Sequence, residues 1–279
     1  MRIQGISGSR GVAVGNVYKY IQEEIVIPDY EVTDDQVEGE IGKFASAMAA
    51  TLKQLDTIRQ KALVDMGADE AAIFEAHMQI AQDPSLSDGI KSLVENSKMN
   101  VVAATAQTIE TFAAIFIGMD DPYMRERGAD IKDIGDRLMR NMLGMNPRGL
   151  SHIYGEVIIV AHDLAPSDTA SLDKNVVKGI VTAAGGPTSH AAIMARTLEI
   201  PAVMGVGDIE SFTDDVRAVV LGTDGEVITE PSDEEWERYT KEAADFQDEL
   251  KRLKDSANLE AVTKDGHHVD LLGNIGKSK

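Results

Sequence analysis

The spacing of apolar residues changes period more than once along this chain. Up to Tyr20, β-branched residues punctuated by Gly5, Gly8, Gly11 and Gly15 predict two short strands and a turn. Residues 21–32, broken at Pro28, read as a connection. From there apolar positions fall at Val37, Ile41, Phe44, Met48, Leu52, Leu55, Ile58 and Ala62, steps of three and four that mark one face of a long helix. Thr33-Asp34-Asp35-Gln36 fits a capping box ahead of it. Further helices are predicted over Glu70–Gln82, stopping at Asp83-Pro84, then over Leu86–Glu95 and Asn100–Met119. Asp121 caps another, with Pro122 in its first position and Gly144 beyond its end. Residues 33–145 therefore read as a helical bundle with short loops.

At Ile153 the strand pattern returns. Val157–Ala161 is a continuous apolar run, followed by Val176–Thr182, Ala202–Met204, Val216–Leu221 and Glu226–Thr229. Helices fit at Pro166–Leu172 and His190–Leu198. Strands on both sides of an all-helical block predict an α/β domain built from residues 1–20 and 148–230, with the bundle inserted into it. A charged linker helix is predicted over 233–256, with Trp236, Tyr239, Ala243, Phe246, Leu250 and Leu253 in one stripe. Leu259–Thr263 and His268–Leu272 flank Asp265-Gly266, a good hairpin turn. A hairpin followed by a new strand suggests that a further domain begins in 259–279.

Composition narrows the partners. The 279 residues are 43% hydrophobic but only 5% aromatic, so aliphatic side chains and Met must build the core. The net charge of −20, from 47 acidic and 27 basic residues, argues against nucleic acid. It suits a basic protein partner, or simply an acidic surface. With no cysteine, disulfides and thiolate chemistry are excluded. No apolar run approaches the ~20 residues of a membrane span. Met1-Arg2-Ile3-Gln4-Gly5 has no signal-peptide core, so a cytoplasmic protein without membrane insertion is the default expectation.

The candidate chemistry sits in Gly185-Gly186-Pro187-Thr188-Ser189-His190, where the strand ending at Thr182 turns into a helix. A neutral imidazole nitrogen can attack phosphorus and hold the phosphoryl group as a phosphoramidate. Gly185 and Gly186 allow close backbone approach, and Thr188 and Ser189 can cap the helix or donate to phosphate oxygens. A histidine packed at a helix start for structural reasons is the alternative.

Gly185 through Arg196, continued by Glu199-Ile200-Pro201-Ala202-Val203-Met204-Gly205, resembles the phosphohistidine signature of the PEP-utilising enzymes. Pyruvate phosphate dikinase and PEP synthase share that signature, and a histidine domain of that type is the alternative reading. The opening Gly5 to Gly15, Ala72 to His77, Arg125 to Ile131, Asp133 to Leu138 and Asp163 to Ala170 are similar, in order, to the N-terminal half of the Enzyme I family of the sugar phosphotransferase system. The resemblance implies an α/β phosphohistidine (swivelling β/α) domain with an inserted all-α helical-bundle subdomain. It implies a transferase in which His190 accepts a phosphoryl group, ultimately from PEP, and passes it to the histidine of the phosphocarrier HPr. Thr169 matches the hydroxyl that hydrogen-bonds this histidine, an ordinary helix-start residue being its alternative. PEP and Mg2+ belong to a C-terminal barrel, whose start would be 259–279. No cofactor or metal is implied for this chain itself. A monomer is implied here, and a homodimer through that barrel. Two departures stand out: Pro187 where many members have Arg, and Arg10 where a proline is common.

Ile109, Phe112, Phe116, Met119 and Tyr123 recur at helical spacing. Such a stripe is more often core than interface, but Ala106, Ala113 and Ile117 make the same helix apolar outside it. The resemblance makes Ile109, Phe112, Phe116 and Met119 part of the HPr-docking groove, together with Asp69, Ala72, His77, Ile80, Leu86 and Arg127. A helix-start carboxylate is the alternative for Asp69, and a polar surface residue for His77. His162 could approach His190, His152 reads as a loop residue, and His267-His268 lacks further metal ligands.

Overall fold

The computed structural model describes residues 1–21, 23–145, 150, 153, 155–256, 262–263 and 265–269. Eight strands, β1 (Arg2–Gln4), β2 (Ile6–Ser9), β3 (Val12–Tyr20), β4 (Val157–Ala161), β5 (Val177–Thr182), β6 (Ala202–Met204), β7 (Arg217–Leu221) and β8 (Glu226–Thr229), form one sheet ordered β1-β8-β7-β3-β4-β5-β6-β2. The run β3-β4-β5-β6 is parallel and the flanking pairs are antiparallel. Gly5 alone separates β1 from β2, which occupy the two ends of this order, so the sheet curls until its edges approach. Glycine is needed where they meet: a Cβ on Gly5 would lie 2.7 Å from the Met204 carbonyl oxygen.

Among the described residues five helices intervene in sequence between the parallel neighbours β3 and β4: α1 (Val37–Asp65), α2 (Ala68–Ala81), α3 (Pro84–Ser97), α4 (Val101–Ile117) and α5 (Pro122–Leu143). This is the α/β fold with an inserted bundle that the pattern predicts. Their core gathers Phe44, Leu86, Ile90, Val94, Ile109, Ile131 and Leu138. The sheet has its own core on each face, one around Ile159, Ile180 and Ala195, the other around Ile158, Val181 and Phe212. Among the described residues two short helices, α6 (Pro166–Thr169) and α7 (His190–Leu198), and the long α8 (Asp233–Ser256) complete the fold. α8 packs on β3, β7 and β8, with Tyr239 buried and Phe246 lying against Gly11, while Leu253 at the far end of its stripe is exposed.

Two local readings change. α2 ends at Ala81, just before the stop expected at Asp83-Pro84, but α3 begins at Pro84 rather than Leu86, because Asp83 accepts from the Ser85 N–H as its N-cap, with Pro84 in the first turn. The Thr33–Gln36 box is half made. Gln36 Oε1 accepts from the Thr33 N–H at 3.1 Å, but α1 begins only at Val37 and carries no side-chain cap on Gln36. In the hairpin expected near Asp265-Gly266, Val262 and His268 form an antiparallel bridge, while 257–261, 264 and 270–279 lie outside the described residues. His152 and the Tyr123 side chain also lie outside them. Among the described residues no helix is long and apolar enough to cross a membrane.

Candidate functional site

β5 ends at Thr182, and the chain must turn sharply to begin α7 eight residues later. Gly185 makes that turn with φ +92°, a conformation L side chains avoid. Thr182 Oγ1 donates to the Ala184 carbonyl at 2.7 Å, and the Ala183 and Ala184 N–H groups bond to the carbonyls of Ala161 and His162. Ser189 is the N-cap of α7, its Oγ accepting from the Ala192 N–H at 3.3 Å. Arg196, two turns on, donates to the carbonyls of Gly8 and Pro187. The turn is thus tied to the strand end behind it and to the helix ahead. Gly186 is half-buried and Thr188 is exposed on it.

His190 is the first residue of α7, and its Nε2 is buried without a hydrogen-bond partner among the described residues. Burial holds the imidazole below its ordinary midpoint; His77 adds to that, while Asp130, Asp133 and Asp163 pull the other way. The ring is therefore neutral near pH 7, so one of its two nitrogens carries a lone pair.

The residues around it come from the bundle as well as from the α/β domain. Asp133 of α5 accepts from Ser167 Oγ of α6 at 2.9 Å. Tyr20 donates to Asp168 Oδ1 at 2.9 Å, and Lys61 of α1 donates to the Leu172 carbonyl at 2.7 Å. Asp130 of α5 lies 3.1 Å from His77 Nε2 and 3.2 Å from Arg127 Nη1. Burial would raise the Asp130 carboxyl, but His77, Arg127 and His190 together hold it below the usual carboxylate range. Asp130, Asp133, Asp163 and Ser167 carry no role in the sequence reading. Asp130 and Asp133 stand in or beside quoted family-like segments, but their approach to His190 depends on how α5 meets α6 and α7.

Several expected placements change. Thr169 is buried beside α7, but its hydroxyl donates within its own turn, to Pro166 O at 2.9 Å, and no hydrogen bond joins it to His190 among the described residues. His77 is 0% exposed, facing α5 rather than solvent, so it is not a docking-surface residue. Ile109 is 5% exposed and packs where α4 crosses Gly135 of α5, so it is core. An open groove of about 370 Å³ does exist, lined by Ile80, Leu86, Phe112, Phe116 and Arg127, and also by Ala76, Gln79, Asp83, Met124 and Ile131. Asp69, Ala72 and Met119 are exposed outside its lining. The His162 side chain is exposed, and only its carbonyl meets the turn.

Two family profiles match the chain: PEP-utilising enzyme, N-terminal, over residues 4–127, and PEP-utilising enzyme, mobile domain, over residues 153–225. A phosphoenolpyruvate-protein phosphotransferase of Listeria monocytogenes is 42% identical over 278 residues, 98% of this chain and 48% of that protein. The protein of that name from Priestia megaterium is 40% identical over 275 residues. The chain spans about half the length of these curated relatives. A solution structure described as Enzyme I (nEIt) superposes with a TM-score of 0.78 at 36% identity, covering 88% of this chain and 99% of the other. The N-terminal domain of Enzyme 1 - Nitrogen shares the fold, with a TM-score of 0.56 at 23% identity.

Proposed function

The chain belongs to the PEP-utilising enzymes, in their Enzyme I branch, and from that premise we propose that it is the phosphoryl-relay part of a phosphoenolpyruvate-protein phosphotransferase. His190 accepts a phosphoryl group and exchanges it with the histidine of HPr. The observation that carries this reading is the buried, unpartnered Nε2 of a ring kept neutral by burial. In the transfer, the Nε2 lone pair forms the new N–P bond as the donor N–P bond breaks. That bond's electron pair returns to the donor imidazole. Positioning and charge compensation supply the catalysis, as in other phosphoryl transfers.

HPr docks in the groove between α2, α3, α4 and α5, with Phe112 and Phe116 as apolar anchors and Asp83 on the rim. PEP and Mg2+ are handled by the part of the relatives that this chain does not span. Incubation with phosphorylated HPr tests the reading. Acid-labile phosphate should appear on His190 and be absent from His190→Ala. Label elsewhere, or label retained in His190→Ala, defeats it. Labelling from ATP would favour a dikinase-type histidine domain instead.

A further inference from the structure

The chain carries 12 methionines and no cysteine, so its sulfur chemistry is that of thioethers. Their exposure is uneven. Met194 on α7 and Met204 on β6, in the domain that holds His190, are 1% and 0% exposed. Apart from Met1 at the terminus, the exposed methionines among the described residues are Met119 and Met124, at 38% and 36%. Met119 follows α4, where its N–H bonds to the Phe116 carbonyl, and Met124 stands in the first turn of α5. They differ in one respect: Met124 lines the groove together with Phe112, Phe116 and Ile131, and Met119 does not. We propose that Met124 is a reversible oxidation site that controls docking: as a thioether it completes the apolar wall, and as a sulfoxide it disfavours a seated partner. The inference rests on the reading of this groove as the HPr-docking site.

The oxidant is a peroxide. The sulfur lone pair attacks one peroxide oxygen, the S–O bond forms as the O–O bond breaks, and the leaving hydroxide takes a proton to become water. Sulfur loses two electrons and the peroxide gains them. Sulfoxide reductases return the thioether at the expense of thiols, so the change is reversible. Oxidation converts a flexible apolar side chain into a polar, chiral one. In the open groove water solvates the new S–O dipole. A seated partner removes that water. The lining offers two side chains that could donate in its place, Gln79 on α2 and Arg127, and Arg127 is already paired to Asp130 at 3.2 Å. Burying a polar group with incomplete compensation weakens binding by about tenfold or more. The burial of Met194 and Met204 meanwhile shields the domain around His190 from the same oxidant.

The test treats the whole chain with hydrogen peroxide, maps the added oxygen by peptide mass spectrometry and measures HPr affinity by calorimetry. Met119 and Met124 should oxidise ahead of Met194 and Met204, and affinity should fall by about tenfold or more. Methionine sulfoxide reductase with a thiol reductant should restore it. Met119 is the internal control, similarly exposed but outside the groove lining. Met119→Leu should keep the peroxide effect. Met124→Leu, whatever its untreated affinity, should bind HPr equally before and after peroxide. Unchanged affinity in parent protein oxidised at Met124 overturns the inference and leaves the docking reading intact. So does a peroxide effect that persists in Met124→Leu, or oxidation of Met124 no faster than that of the buried methionines. Failure of the untreated parent to bind HPr defeats the docking reading and the inference together.

Discussion

Arg196 reaches back across the turn and donates to the carbonyl oxygen of Pro187 at 2.8 Å, while its other terminal nitrogen donates to Gly8 at 2.7 Å. One side chain on α7 therefore fixes the loop before it and the end of β2. Arg196→Ala removes two charge-assisted hydrogen bonds, one partly buried and one exposed, and should cost about 2 kcal/mol of stability. Because the Pro187 carbonyl belongs to the turn that presents His190, phosphoryl uptake should slow as well. Denaturant unfolding and labelling from phosphorylated HPr measure the two effects, and Arg196→Lys should restore only part of either, since it cannot fork to both carbonyls.

Phe116 and Ile109 share one helical stripe but not one fate. Phe116 is half-buried in the groove, whereas Ile109 is packed against α5. Phe116→Ala should weaken HPr binding with a modest loss of stability, about 1 kcal/mol for the apolar area it still buries. Ile109→Ala should cost about 2–5 kcal/mol as a buried large-to-small change, with HPr affinity of the folded fraction little altered. Calorimetric binding alongside thermal melts separates them. Equal effects of the two variants on binding would mean that the groove is not the docking site.

This split shows what the sequence makes legible. The bundle and the sheet strands follow from local period, which is written into consecutive residues such as Val37 to Ala62 and Val157 to Ala161. Which half of the α4 stripe is core is not local, because it is set by where Gly135 on α5 lets the helices close. His77 reads as a surface residue because it is polar on a helix that also carries Asp69, Glu70, Glu75 and Gln79, and the carboxylates that face it lie on α5. Thr169 reads as a partner of His190 by resemblance, yet its hydroxyl donates to the carbonyl of Pro166 in its own turn. Asp83-Pro84 carries both helix-stop and helix-start chemistry, and both apply: α2 ends at Ala81 and the Ser85 contact starts α3 two residues ahead of Leu86.

Gly135 itself gives a sharper stability test. A Cβ built there would sit 2.6 Å from two carbon atoms of the Ile109 side chain. Replacing Gly by Ala inside a helix normally gains about 1 kcal/mol of propensity. Overpacking a tight helix crossing costs about 1–3 kcal/mol. Real Cβ contacts do not reach that distance, and Ile109 is held on all sides, so the packing cost should win and Gly135→Ala should lower the melting temperature. Gly39 and Gly42 on α1 are the control: nothing lies within 4 Å of a Cβ at either. Ala at those positions should stabilise.

The acid limb of stability should carry the signature of His190. Its folded midpoint lies below the ordinary 6.5, chiefly through burial. Above that value the ring is neutral in both the folded and the unfolded chain, and it has no influence on the pH dependence. As pH falls below 6.5 the unfolded chain takes up the proton first, so stability declines until the folded midpoint is passed. Asp130 works in a separate window. Its carboxyl is held below the ordinary 3.8, so its contribution is complete above that pH and is lost only in stronger acid. His190→Ala should therefore flatten the slope just below 6.5 while leaving the steeper acid transition in place. Any cavity cost of the substitution shifts the whole curve and does not mimic a change of slope. Urea unfolding across the acid range measures this directly, and an unaltered slope in His190→Ala would show that the His190 ring is not desolvated in the folded protein.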